Sequence, residues 1–86
     1  MEKTFDFGEA VVCLKQGLQV QRQGWNGKGQ YVYRVVMDYQ VEDDGRSVTK
    51  EFEPCFVIKN AQGKYQPGWV PSISDIMADD WVVVKE

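Results

Sequence analysis

The chain has 86 residues, 43% of them hydrophobic, and a net charge of −3 from 10 basic and 13 acidic side chains. A single domain is expected at this length, and a chain so short buries a limited share of its surface, so self-association is the natural source of extra buried area. The weakly acidic balance argues against a general nucleic-acid binder, which needs a basic surface to displace counterions.

No apolar run approaches the roughly 20 residues that cross a bilayer, and MEKTFDFGEA lacks the apolar stretch of a signal peptide. A soluble, intracellular chain is expected. There is no His, and Cys13 and Cys55 stand far apart. That argues against a zinc site and reads as two reduced thiols acting as small hydrophobes.

In chain order, FDFGEAVVCLKQG predicts a short helix. Asp6 is the N-cap with Glu9 three residues on, a capping-box pattern, and Phe5 with Ala10 forms a staple across the start. Phe7, Ala10, Val11 and Leu14 share a face, Lys15 lies in the last turn, and Gly17 is the C′ residue. LQVQRQ (18–23) alternates as a strand with Leu18 and Val20 inward. The loop GWNGKG (24–29) follows. QYVYRVVMDYQV (30–41) is the clearest strand, with Tyr31, Tyr33, Val35 and Met37 on one face and Val32, Arg34, Val36 and Asp38 on the other. EDDGRS is an Asp-Gly turn, and VTKEFEPCFVIK (48–59) pairs back, with a bulge or edge position expected at Pro54. NAQGKYQPGWVP reads as a loop region whose residues 61–64 make a polar hairpin tip. SISDIMADD supports one or two helical turns from Ser72, with Asp75 three residues on, and WVVVK (81–85) closes the chain as a strand. The fold class is therefore α+β, since no strand–helix–strand unit is long enough for a parallel crossover.

Without His, a His-based general base or triad is excluded, and Cys13 has no His partner. GWNGKG lacks the GK[ST] of a P-loop and is not a GxGxxG. Asp75, Asp79 and Asp80 cluster in sequence and offer acid/base groups or Mg²⁺ ligands, though such carboxylates are more often solvated or capping. Asp79 and Asp80 lie at the C-terminal end of the short helix, where its dipole disfavours anions, a broken local rule of the kind found at contact positions.

Binding chemistry is better represented. Trp25, Trp69 and Trp81 adjoin Gly24, Gly68 and Asp80, where an indole either closes a core edge or lines a cleft, and such a ring stacks on a planar base. Gly27 and Gly29 let backbone N–H groups approach a ligand, and Asn26 offers donors and an acceptor. Arg22, Lys28, Arg34 and Lys64 supply cations, and the helix start at Ser72 and Ser74 supplies N–H donors for an anion.

Two segments together resemble a known family. FGEAVVCLKQGLQVQRQGWNGKGQYVY and PGWVPSISDIMADDWVVV are similar to the phage-encoded Thoeris anti-defence sponges of the second type. The resemblance covers about 7–36 and 56–84; the intervening hairpin (38–55) does not contribute. It implies a single domain over 1–86, with an antiparallel sheet packed on the N-terminal helix and a short C-terminal helix and closing strand used in oligomer assembly. It implies a non-enzymatic protein without cofactor that acts in the cytoplasm of an infected bacterium. There it would sequester a cyclic nucleotide immune signal, glycocyclic ADP-ribose or a cyclic dinucleotide, in homotetramers with pockets at subunit contacts. On matching positions, Trp25 and Trp69 become candidates for base stacking, and Asn26 and Asp80 for hydrogen bonds to ribose or base. Ser72 with Arg22 or Lys28 would hold pyrophosphate, while Pro71, Asp75 and Trp81 complete the pocket. Two other readings stay open: a metal-dependent phosphodiesterase built on Asp75, Asp79 and Asp80, and a protein-interaction inhibitor of a host enzyme.

Overall fold

The computed structural model describes residues 3–25, 27–36 and 38–84, with only the backbone of 38 and 39. The elements run α1 (Phe7–Lys15), β1 (Val20–Arg22), β2 (Tyr31–Val35), β3 (Asp38–Asp43), β4 (Arg46–Glu51), β5 (Cys55–Lys59), β6 (Tyr65–Pro67), α2 (Ile73–Met77) and β7 (Trp81–Val83). Five strands form an antiparallel sheet in the order β6-β5-β2-β1-β7, and β3 and β4 form a separate two-stranded sheet. The α+β class stands.

The start of α1 is fixed twice over. Asp6 Oδ1 accepts from the Glu9 N–H at 2.9 Å, satisfying one orphan donor of the first turn. Just ahead of it, Phe5 bridges to Trp81 through Phe5 N–H to Trp81 O (2.9 Å) and Trp81 N–H to Phe5 O (3.2 Å), so the helix is anchored to β7. At the other end, Leu18 N–H bonds to Cys13 O and Gly17 N–H to Leu14 O, both at 3.0 Å. Gly17 sits at φ 86°. This is the Schellman arrangement, and it corrects one expectation. Leu18 is its C″ residue, not the first inward residue of a strand, and it stays 40% exposed. Strand β1 begins only at Val20.

The core is small and lies between α1 and one face of the sheet. Ala10, Cys13, Leu14, Val20, Val32 and Trp81 are buried together. Val20 lies opposite Val32 and Val83 in the ladder, so the central pair of strands faces α1 with branched side chains. Val11, expected on the buried face, is half-buried, and Cys13 takes the deeper position. The opposite sheet face carries tyrosines: Tyr31 and Tyr33 at 5.9 Å, Tyr33 and Tyr65 at 6.3 Å, and the Lys59 ammonium 5.3 Å from the Tyr31 ring.

The long strand predicted over 30–41 is two strands, as is its partner over 48–59. β2 pairs with β5 from Tyr31↔Lys59 to Val35↔Cys55. Pairing resumes at Asp38↔Glu51 and runs to Asp43↔Arg46, and 52–54 on the return side belong to neither ladder. Pro54, which cannot donate to a ladder, lies in this unpaired stretch, so the interruption expected there is present. Asp44 (φ 54°) and Gly45 (φ 77°) form the expected Asp-Gly turn, the mirror-type geometry that matches strand twist. Of the residues assigned to this strand, Met37 and the Asp38 side chain lie outside what is described. The region read as a loop over 60–71 contains β6. Asn60 Oδ1 accepts from Gln62 and Lys64 N–H, closing a tip that returns the chain as an exposed edge strand, where Pro67 is tolerated. The closing strand ends at Val83.

Leu14 is fully buried in the centre of this core. Leu14→Ala is expected to lower unfolding free energy by about 3 kcal/mol, read as a lower guanidinium midpoint at unchanged slope.

Candidate functional site

Both sequence blocks meet at one carboxylate. Ser72 caps α2 and forms a complete capping box with Asp75: Asp75 N–H donates to Ser72 Oγ at 3.1 Å, and Ser72 N–H to Asp75 Oδ2 at 3.0 Å. The other oxygen, Asp75 Oδ1, accepts from Arg22 Nη1 at 3.0 Å and from Trp25 Nε1 at 3.1 Å. Asp75 is 9% exposed, so its charge needs these donors. Its backbone carbonyl accepts from Trp81 Nε1 at 2.9 Å.

Asp80 resolves the helix-dipole conflict. Its Oδ1 accepts from Arg22 Nε at 2.9 Å and its Oδ2 from Gly24 N–H at 2.8 Å. The carboxylate is compensated by a guanidinium from β1, the strand paired with β7, and by a backbone donor from the turn that follows β1. Arg22 therefore bridges the two carboxylates, which do not stand as a free acidic pair. A Cβ on Gly24 would lie 2.7 Å from Asp80 Oδ2, so only glycine permits this approach. Gly27 is constrained in the same way: a Cβ there would lie 2.9 Å from Ala61 Cβ. The first glycines of GWNGKG thus serve internal packing.

The electrostatics follow from the geometry. Burial pushes Asp75 up, but the Ser72 N–H, the Trp25 indole and the Arg22 guanidinium outweigh it and hold the carboxyl below its usual range. Burial also raises Asp80, and Arg22 with the Gly24 N–H holds it low. Arg22 is raised, first by Asp80 and then by Asp75.

The three indoles form one edge-to-face cluster: Trp25–Trp81 at 5.4 Å, Trp25–Trp69 at 6.3 Å and Trp69–Trp81 at 6.4 Å between centroids. Trp81 is fully buried and offers no face to a ligand in a single protomer. Trp25 and Trp69 are half-buried on different sides. Trp25 lines a polar cavity of about 370 Å³ with Arg22, Lys28, Gly27 and Gly29. Trp69 lines another of about 440 Å³, with Phe56, Arg34 and Lys15.

The structure therefore divides the predicted set. Arg22, Trp25 and Lys28 share a cavity; Trp69 looks into a second; Ser72, Asp75, Asp80 and Trp81 form the frame behind Arg22 and Trp25. Pro71 is half-buried on the approach to α2, and Asn26 lies outside the described residues. Lys15 and Phe56 were not singled out for binding. Arg34 and Phe56 stand opposite one another in the β2–β5 ladder, one residue off the register of the β3–β4 hairpin, so their juxtaposition could not be read from the turn.

Two outcomes are expected. Gly24→Ala displaces Asp80 and lowers stability by about 1–3 kcal/mol, measured by denaturant unfolding. Because both carboxyls are held low, their stabilisation is complete above the unfolded aspartate pKa of about 3.9 and is lost as pH falls through the folded values. Asp80→Asn should lose less stability than the parent on acidification below about pH 4, read from thermal midpoints across pH.

Comparison with known proteins agrees with the two-block pattern. The family model for the Thoeris anti-defense 2-like domain (Tad2-like) matches residues 5–84. A relative from Bacillus phage SP01, Thoeris anti-defense 2, is 40% identical over 90 residues, covering 99% of this chain and all of the relative. With the match running from the residue that bridges to β7 to the end of the described sheet, the chain belongs to the Thoeris anti-defense 2-like family.

Proposed function

We propose that this anti-defence protein is a sponge: it sequesters a cyclic nucleotide immune signal, glycocyclic ADP-ribose or a cyclic dinucleotide, without cleaving it. The observation that carries the reading is that one buried carboxylate oxygen, Asp75 Oδ1, holds both Arg22 and Trp25 at a polar cavity. A cation and an aromatic face are thereby oriented before any ligand arrives, which reduces the ordering cost of binding. In this reading the base stacks on Trp25, and Arg22 with Lys28 takes the pyrophosphate through charge-assisted bonds. A volume of about 370 Å³ falls in the range of ligand sites.

Assembly completes the proposal. The helix layer covers one sheet face, while Val70 (78%), Ile73 (81%) and Met77 (74%) around α2 are exposed. Large apolar side chains left outward together mark a contact surface. α2 and β7 would join protomers into a homotetramer whose neighbours close the exposed Lys28–Gly29 rim of the cavity.

Purified protein mixed with glycocyclic ADP-ribose is expected to deplete it from a filtrate and to return it intact after heat denaturation. A cleaved product, or ligand that stays in the filtrate, would overturn the reading. Trp25→Ala should weaken binding by about 1–3 kcal/mol in calorimetry. Light scattering should give the mass of four 9.9 kDa chains, about 40 kDa, with Ile73→Glu shifting it lower.

A further inference from the structure

We propose that Gln30 and Ala61 are positioning residues: together they clamp Gly27 and hold the Lys28 side of the Arg22–Trp25–Lys28 cavity in place before a ligand arrives. Neither lines that cavity; both act on Gly27, which does.

The loop after β1 is fixed at its near end by the carboxylate frame, through the Gly24 N–H on Asp80 and the Trp25 indole on Asp75. Its far end has a separate hold. Gln30 Nε2 donates to Gly27 O at 3.1 Å, a bond to the third residue back that closes 27–30 into a turn. Gly29, at φ 79°, takes the backbone conformation this reversal needs. Ala61 closes on the same glycine: a Cβ on Gly27 would lie 2.9 Å from Ala61 Cβ and would also collide with the Gln30 amide. The Gly27 backbone therefore sits against both residues at a distance that a side chain would forbid.

The register brings the two halves of the clamp together. Tyr31↔Lys59 is the end rung of the β2–β5 ladder, so one strand is entered from Gln30 and the other leaves into Asn60 and Ala61. Asn60 braces the tip that carries Ala61. Its Oδ1 accepts from Gln62 N–H at 3.0 Å and from Lys64 N–H at 2.9 Å. Its carbonyl accepts from Gly63 N–H at 3.0 Å, and its own N–H donates to Lys64 O at 2.8 Å. The polar tip over 61–64 is thereby a buttress for the loop across from it.

The consequence falls on Lys28. It is exposed and stands between two glycines, the residues that lose most backbone freedom when ordered. A cation on such a backbone holds a ligand weakly unless the backbone is ordered beforehand. The clamp supplies that order at Gly27, one residue away. For its ligand this inference rests on the sequestration reading; for the loop it does not.

The test has one arm without ligand and one with it. In the ligand-free protein, NMR relaxation of the Lys28 and Gly29 amides is expected to give order parameters nearer the rigid value of about 0.85 than the flexible range below about 0.6. Gln30→Met keeps the side-chain length and removes the donor, and it should drop them into the flexible range; Ala61→Gly should lower them as well. With glycocyclic ADP-ribose, Gln30→Met should weaken binding by about tenfold. In a Lys28→Gln background the same substitution should add little, because the clamp acts through Lys28. Order parameters unchanged in both variants would overturn the proposal. So would a full tenfold loss from Gln30→Met in the Lys28→Gln background, which marks a general structural role. A parent protein that fails to bind the nucleotide would sink the sequestration reading alone, since the ligand-free arm still decides whether the clamp exists.

Discussion

A single carboxylate organises this protein. Asp75 accepts from Ser72, Trp25 and Arg22, and its carbonyl accepts from Trp81. Those donors come from α2's own cap, from the loop after β1, from β1 and from β7. In a chain with so small a core, hydrogen bonds spanning 50 or more residues do what hydrophobic area does in larger domains. They fix how the C-terminal turn sits against the first strand. The burial that would otherwise penalise the charge makes the arrangement selective, because a carboxylate withdrawn from water tolerates only positions in which its donors are present. Arg22 carries the same logic to Asp80, so the frame is a chain of four groups: capping box, Asp75, Arg22 and Asp80.

Much of the architecture was legible from local signals. Asp6, Gly17, Ser72 and the Asp44–Gly45 turn each act through their own backbone neighbourhood, and each appears where its chemistry requires. Pro54 announced an interruption because a missing N–H is a local fact. What was not legible depended on distant partners. Leu18 looked like a strand residue until the Schellman bonds claimed it for the helix cap. The edge strand β6 has no alternating pattern, because all three of its residues are exposed.

The candidate site shows the same division. The residue types were readable: indoles beside glycine, cations in the first block, carboxylates in the second. Their grouping was not. Trp25 and Trp69 touch, yet they look into different cavities, and a list of matching motif positions carries no information about which side of a shared cluster each ring faces. Asp80 read as a ligand contact because it breaks a local rule, and Asp75 because it matches the family motif; the structure accounts for both through Arg22, Trp25 and Gly24. Glycine at 24 and 27 likewise has an internal cause, the close approach of Asp80 and of Ala61.

The two-stranded arm has a different consequence. Among the described residues it shares no ladder with the five-stranded sheet, and its pairs from Asp38↔Glu51 to Asp43↔Arg46 form a sheet of their own. The register of β2 on β5 is set within its own five pairs. Lengthening or shortening the arm by matched pairs therefore leaves Arg34 opposite Phe56 and leaves β1 and β7 where they are. The fold contains a segment whose length is free to change without moving either cavity. Insertions and deletions among related chains can collect there while both motif blocks keep their spacing to the sheet.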